Sequence, residues 1–432
     1  MNAINTINPK STTNTKNKFP FFLLIIYLFF EYGRPQDFFP FLAPLRIPKI
    51  TIATLALLLF TTKKINLKNP QTKCFLAMIA LMVFHVPIAA NNYWAFWMTY
   101  GQVAYFIVYL SIIAFVNDFK KLNLYIDLWI LINVFCAFVG IKHGGRVPNS
   151  AFMGDENDFA LVMNMAIPFA YFMFLETDSI KKKIFYLTAC GLFIGANVAS
   201  FSRGGFVGLL PVAAYCWYKT PRKALATIVM GLMLIIFLAF TTESYWAEMK
   251  TIKEQKMEEG TGAQRKHFWT CAWHMFLDHP IIGVGPGNFP WNIEKYEKKI
   301  GTYGNKMWGG AVAHSLYFTL IPELGLIGIL LFSGMLYFSQ KDKKLILNLE
   351  KEYLLKSNQR DTSWLQRDKD IIEQLHKIKF IIFGITGAVL GYLVSGAFLS
   401  VLYYPHFWLL ISLCVALRNI VQNQIINSNL FS

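Results

Sequence analysis

Charge is what this sequence has least of. Only 15% of its 432 residues are Asp, Glu, Lys or Arg, against roughly a quarter in soluble globular chains. That shortage excludes an ordinary soluble enzyme. Cysteine is scarce too, at six residues. Cys74, Cys136, Cys190, Cys216 and Cys414 lie inside apolar runs and Cys271 stands alone in a polar stretch, so neither a disulfide framework nor a CxxC metal centre is available. No glycine-rich loop is followed by the Lys-Ser/Thr pair of a nucleotide site. A net charge of +16 raises the question of nucleic acid. The cations are dispersed in short segments between apolar runs, however, and no nucleic-acid-binding motif accompanies them.

What is present is apolar length. Hydrophobic residues make up 55% of the chain and aromatics 16%. Apolar runs long enough to span a bilayer recur from end to end. Twelve stretches qualify: 19–32, 45–62, 73–90, 97–116, 124–142, 159–176, 183–199, 204–219, 224–241, 315–338, 378–399 and 401–418. The expected fold is therefore all-α, a polytopic membrane protein of about twelve transmembrane helices. The first run follows a polar tail and has no small-residue cleavage site before Glu31, so it reads as a retained helix. Three regions follow: an amino-terminal membrane region over 1–241, a large loop over 242–313, and a carboxy-terminal membrane region over 314–432 that includes a charged segment at 340–377.

Lysine sets the orientation. Lys63, Lys64, Lys68 and Lys73, then Lys120 and Lys121, then Lys181 to Lys183, then Lys219, Arg222 and Lys223 occupy alternate loops, and the intervening short loops are nearly free of lysine. The positive-inside rule puts these loops, the amino terminus and 340–377 in the cytoplasm. The loop 242–313 then faces outward, with Arg34, Arg203, His314 and the Asp155-Glu156-Asn157-Asp158 cluster. The expected location is the bacterial inner membrane, with chemistry on the periplasmic side. No ATP is expected there, so a donor must already have crossed the membrane.

Few outward residues carry chemistry. Arg203 lies in Ser200-Phe201-Ser202-Arg203-Gly204-Gly205, where a guanidinium, hydroxyls and helix-end amides suit a diphosphate. The competing reading is a snorkelling arginine. Apolar residues at 268, 269, 272, 273 and 276 have helical spacing, which predicts a surface helix over about 262–277 begun by Arg265. His267, His274 and His279 form no metal-ligating pattern. Asn157 or Asp158 either caps the sixth span or, with Asp155, contacts sugar hydroxyls. Gly283-Val284-Gly285-Pro286-Gly287-Asn288-Phe289 reads alone as a turn. His314 opens the tenth span, with Ser315 suited to cap it. An imidazole there is either merely interfacial or a base for an acceptor hydroxyl. Glu323, nine residues on, lies about 13 Å along a helix. It steadies other spans unless Pro322 bends the helix and alters that distance.

These pieces in this order resemble the O-antigen ligase and polymerase superfamily. The resemblance rests on Ser202-Arg203-Gly204-Gly205, on Arg265 with Trp269 ahead of Asp278-His279-Pro280, on Gly283 to Phe289, and on Ala313-His314-Ser315-Leu316-Tyr317 running on to Glu323-Leu324-Gly325-Leu326-Ile327-Gly328. It is densest over about 150–340. The motif Glu31-Tyr32-Gly33-Arg34-Pro35-Gln36-Asp37 and the 154–158 cluster are similar to the O-glycosylation ligases associated with exosortase systems. Many ligases have Asn where this chain has Ser315, which leaves the acceptor open. The resemblance implies a GT-C-like architecture with one large periplasmic loop, and an inverting, metal-independent transfer that uses no cofactor. The implied donor is an undecaprenyl-diphosphate-linked glycan, and the acceptor a protein or glycolipid hydroxyl. Arg203 and Arg265 would hold the diphosphate, with Arg265 also assisting catalysis, and His314 would activate the acceptor. Arg34, Asp155, Asn157, Asp158 and Glu323 are the candidate sugar or acceptor contacts. A polymerase of the same superfamily is the near alternative and a lipid-linked glycan transporter the distant one.

Overall fold

The computed structural model describes residues 18–254, 261–304, 306–357 and 365–427. Its described residues are helical throughout, with an isolated bridge between Tyr303 and Lys306 in place of any strand. In chain order, α1 (Lys18–Leu28) runs into a π-turn at Phe29–Gly33, and α2 (Pro35–Phe38) is followed by a 3-10 turn at Pro40–Leu45. Then come α3 (Ile47–Thr61), α4 (Pro70–His85), α5 (Asn92–Phe115) and α6 (Phe119–Lys142). The middle of the chain holds α7 (Glu156–Glu176), α8 (Ile180–Ala199), α9 (Arg203–Lys219) and α10 (Lys223–Phe240). The polar region holds α11 (Glu243–Glu254), α12 (Thr261–Asp278) and α13 (Phe289–Ile300), and the chain ends with α14 (Leu316–Ser357), α15 (Leu365–Gly396) and α16 (Pro405–Asn427).

Each of the twelve apolar stretches falls mainly on one of these helices. Seven segments are long and apolar enough to cross a membrane by length and composition: Pro40–Thr61, Asn92–Phe115, Phe119–Lys142, Glu156–Glu176, Leu316–Glu352, Lys377–Gly396 and Pro405–Asn423. The surface helix expected over 262–277 is α12. The charged segment 340–377 continues α14 to Ser357 and begins α15 at Leu365. Residues 358–364 within it lie outside the described residues.

α7 is the axis of the bundle. Phe159 to Met173 are all buried, as a helix that is apolar all round requires. It packs against α8, α9 and α15. Two asparagines bind these helices where hydrocarbon offers no other partner. Asn164 Nδ2 donates to the Gly205 carbonyl at 2.9 Å and to Ser395 Oγ at 3.0 Å, and Asn197 Nδ2 donates to Asn164 Oδ1 at 2.9 Å. At the far end of the bundle Asp342 accepts from Gln71 at 2.7 Å and from Arg418 at 3.2 Å, while Arg418 also reaches Asn69. That group ties α4, α14 and α16 together.

α14 is not one continuous helix. Gly325 has φ 60° and ψ −160°, far from helical values. The carbonyls and amides released there are taken up by the segment 280–285, which includes Gly283 and Gly285. Val284 and Gly285 donate to the Pro322 and Glu323 carbonyls, each at 2.9 Å, and Leu326 and Ile327 donate to Pro280 and Ile281 at 2.8 and 3.0 Å. Irregular backbone inside a membrane protein persists when it is satisfied in this way. The approach needs glycine on both sides. A Cβ on Gly283 would lie 2.4 Å from the Glu323 carbonyl carbon, and one on Gly325 would lie 2.6 Å from that of Ile281. The break in α14 thus lies at Gly325, three residues after Pro322.

Candidate functional site

The start of α9 is held by α7. Ser202 Oγ caps α9 by accepting the Gly205 amide at 2.9 Å, and it donates to Asn157 Oδ1 at 2.8 Å. Gly205 permits the contact, since a Cβ there would lie 2.5 Å from Ala160 Cβ. The left-handed residue of this turn is Phe201, with φ 52°. This geometry delivers Arg203 to the first turn of α9, where its Nη2 donates to Thr261 Oγ1 at 2.8 Å.

Thr261 is the first residue of α12, and Arg265 follows one turn later. Arg203, Thr261, Arg265, Trp269 and Phe398 line one cavity of about 170 Å³. Burial and the neighbouring Arg203 cation pull the Arg265 pKa down, and Asp155 acts in the opposite direction. An arginine so placed stays charged. The cavity therefore pairs two guanidinium groups that repel each other and gain from an anion between them.

α12 also fixes His314. Trp269 Nε1 donates to the Ala313 carbonyl at 2.9 Å and its ring stacks on Phe318 with centroids 5.0 Å apart. The His314 ring lies over Phe268 at 6.5 Å and a 22° interplanar angle. The backbone of His314 is left-handed, φ 48°, a conformation uncommon for a residue with a side chain and one that collects at functional positions. Ser315 caps α14, its carbonyl accepting from Thr319 at 2.9 Å and its Oγ from Phe318 at 3.4 Å. The expected cap is thus realised. Burial and the Arg265 cation hold the His314 pKa below its ordinary value, with Asp155 opposing. Its neutral, proton-accepting form is favoured.

The remaining candidates take distinct places. Asp155 is the cap of α7, accepting the Asn157 amide at 2.8 Å. The cap is thus one turn earlier than Asp158 and two residues before Asn157, and its charge also reaches Arg265 and His314. Asn157 anchors Ser202, and Asp158 accepts the Tyr404 hydroxyl at 2.9 Å. Arg34 pairs with Asp37 beside the π-turn and lines neither cavity described in this section. Glu323 does not turn to His314. It accepts the amides of Gly287 at 2.7 Å and Phe289 at 3.0 Å and the Tyr403 hydroxyl at 2.7 Å. Among the described residues no three His, Cys, Asp or Glu side chains gather as a metal site would need. His267 instead bonds to buried Glu297 at 3.1 Å, and Glu297 also accepts the Trp308 amide at 2.8 Å, which stiffens the loop leading to His314.

A second cavity, about 300 Å³, is lined in part by Ala313. Trp94, Trp291, Tyr403 and Tyr404 supply its aromatic walls, and Ser400 and Glu323 its polar groups. None of these but Glu323 stood out in the sequence. The signal was Tyr403-Tyr404-Pro405, a pair of tyrosines directly before a helix, which read as part of an apolar run. Ala313, the residue before His314, lines this second cavity, and Trp269, which bonds to its carbonyl, lines the first.

Comparison with known proteins finds two similarities. Residues 188–333 match the family model described as O-antigen ligase, a stretch that contains Arg203, Arg265 and His314. The chain is also similar to the teichuronic acid biosynthesis protein TuaE of Bacillus subtilis (strain 168), 23% identical over 253 residues, which is 47% of this chain and 51% of that protein. The match thus spans about half the length of that relative.

Proposed function

With its core in the O-antigen ligase and polymerase superfamily, we propose that this membrane protein transfers a glycan from a polyprenyl-diphosphate carrier to an acceptor hydroxyl. The observation that carries the reading is the cavity shared by Arg203 and Arg265, with His314 near enough to Arg265 to feel its charge. Alternating lysine-rich loops support an outward-facing site in a bacterial inner membrane.

The donor diphosphate sits between Arg203 and Arg265. The acceptor hydroxyl is presented from the aromatic cavity, whose indole and phenol rings suit the apolar faces of sugar rings and whose Ser400 and Glu323 suit their hydroxyls. His314 takes the hydroxyl proton as the oxygen attacks the anomeric carbon on the face opposite the diphosphate. The new carbon–oxygen bond forms while the bond to phosphate breaks, and its electron pair leaves with the polyprenyl diphosphate. The two guanidinium groups stabilise the charge that grows on that leaving group. Configuration at the anomeric carbon inverts. No step needs a metal.

A polymerase, in which the acceptor is a further lipid-linked glycan, shares this framework. A relative named for teichuronic acid biosynthesis supports keeping that reading beside the ligase. The test is transfer by purified protein in nanodiscs, using a synthetic polyprenyl-diphosphate glycan and separate protein, glycolipid and glycan acceptors. Wild type is compared with Arg203→Ala, Arg265→Ala and His314→Ala. Full activity in all three variants overturns the site, and movement of donor across a vesicle without bond formation identifies a transporter instead.

A further inference from the structure

The opposite end of the bundle carries a cavity of about 520 Å³ that the transfer reaction does not use. α7 and α9 begin beside the arginine site and end here. The 21 residues of α7 put the two places roughly 30 Å apart. Lys183, Arg222, Lys377 and Lys379 line the cavity against two carboxylates, Glu176 and Asp178. Four cations less two anions leave a surplus of two positive charges. Other nearby cations are turned elsewhere. Lys182 pairs with Asp127 at 3.2 Å, and Lys223 donates to the carbonyls of Trp217 at 2.9 Å and Tyr218 at 2.8 Å.

Two helices start at the rim. α8 begins after Ser179 and α10 after Arg222, and neither start has a side-chain cap. Their first-turn amides are left without a capping side-chain oxygen, an arrangement that suits an anion. Phe174, Leu175, Leu225 and Phe380 form the other wall, an apolar surface at the level where spanning helices end. A soluble phosphate has no use for that wall. A glycerophospholipid does, because its charged phosphodiester joins directly to acyl chains.

We propose that this cavity binds the headgroup phosphate of an anionic phospholipid from the leaflet opposite the transfer site. The site is independent of the transfer reading, since none of its residues belongs to that machinery. The phosphodiester lies among Arg222, Lys183 and Lys379 and the two helix starts, and the glycerol and upper acyl carbons lie on Phe174, Leu225 and Phe380.

The test is native mass spectrometry of the purified full chain with phosphatidylglycerol and with phosphatidylcholine. The expected result is preferential retention of phosphatidylglycerol, reduced about tenfold in Lys183→Ala/Arg222→Ala. Lys295→Ala on the far face should leave it unchanged. Asp178→Asn removes an opposing charge without trimming the cavity and should strengthen retention, which keeps the proposal testable should the double variant misfold. Equal retention of the two lipids overturns it, as does undiminished binding in a folded double variant. Displacement by millimolar inorganic phosphate also overturns it, by identifying a soluble ligand.

Discussion

Trp269 donates its indole N–H to the Ala313 carbonyl at 2.9 Å, so the helix that carries Arg265 also sets the residue before His314. The proposed diphosphate site and the proposed base are thereby built on one support. Trp269→Phe keeps the stack on Phe318 and removes only this bond, leaving a carbonyl unpaired at a cost of about 1–3 kcal/mol. The expected outcome is a fall in kcat of about 5- to 100-fold with little change in the KM for donor, measured by glycan transfer in nanodiscs. A change in KM alone would argue against a positioning role.

His314→Ala should lower kcat by about 10²- to 10⁴-fold, the usual contribution of a general base. Binding of a fluorescent polyprenyl-diphosphate analogue should persist, because the arginines hold the diphosphate. Loss of binding with kcat retained would move His314 out of the base role.

The acid limb of the kcat/KM profile should lie below the ordinary histidine value of 6.5, because burial and Arg265 lower the His314 pKa. The active form is the deprotonated one, so the rate rises as pH climbs through that lowered pKa. Arg265→Gln removes a cation that favours the neutral ring, and should therefore shift the limb upward while lowering the overall rate. A profile unmoved by Arg265→Gln would separate the two residues electrostatically.

Arg203→Lys and Arg265→Lys keep the charge and lose the planar fork. Each should lose about 10- to 100-fold in kcat/KM, equivalent to one or two charge-assisted hydrogen bonds. The double variant should lose less than the product of the two, because the guanidinium groups share one cavity and act on each other. Strict additivity, read from the same assay, would place them in separate sites.

Gly325→Ala puts a Cβ 2.6 Å from the Ile281 carbonyl carbon at φ 60°. A destabilisation of about 1–3 kcal/mol follows from the torsion alone, and the backbone clash adds to it. The expected observation is a lower melting temperature in detergent, with Gly283→Ala behaving alike. Wild-type melting in both variants would show that the pairing across the break contributes nothing.

The candidate residues were legible for different reasons: Arg203 stands in a short loop without lysine, whereas Arg265 and His314 border the lysine-rich stretch 242–313 and were picked out by helical spacing and motif. The helices were legible because apolar runs have no other stable form in lipid. What escaped was partnership. Gly325 interrupts α14 without interrupting its apolar pattern, so composition gave no sign of the break and Pro322 was the natural suspect. Tyr403 and Tyr404 sit in a run of hydrophobic residues, where an aromatic that lines a cavity looks the same as one that fills a core. Asp155, Asn157 and Asp158 are neighbours of similar chemistry. Only the geometry assigns the first to the α7 cap, the second to Ser202 and the third to Tyr404.

The backbone pairing of 280–285 with the broken turn at 322–327 has a consequence for engineering. Segment 280–285 is stitched to the 322–327 turn by main-chain bonds, so 242–313 is not a portable module. A chimera that takes 242–313 from a relative has to bring the matching 322–327 turn with it, and a graft that omits the turn leaves those donors and acceptors without mates.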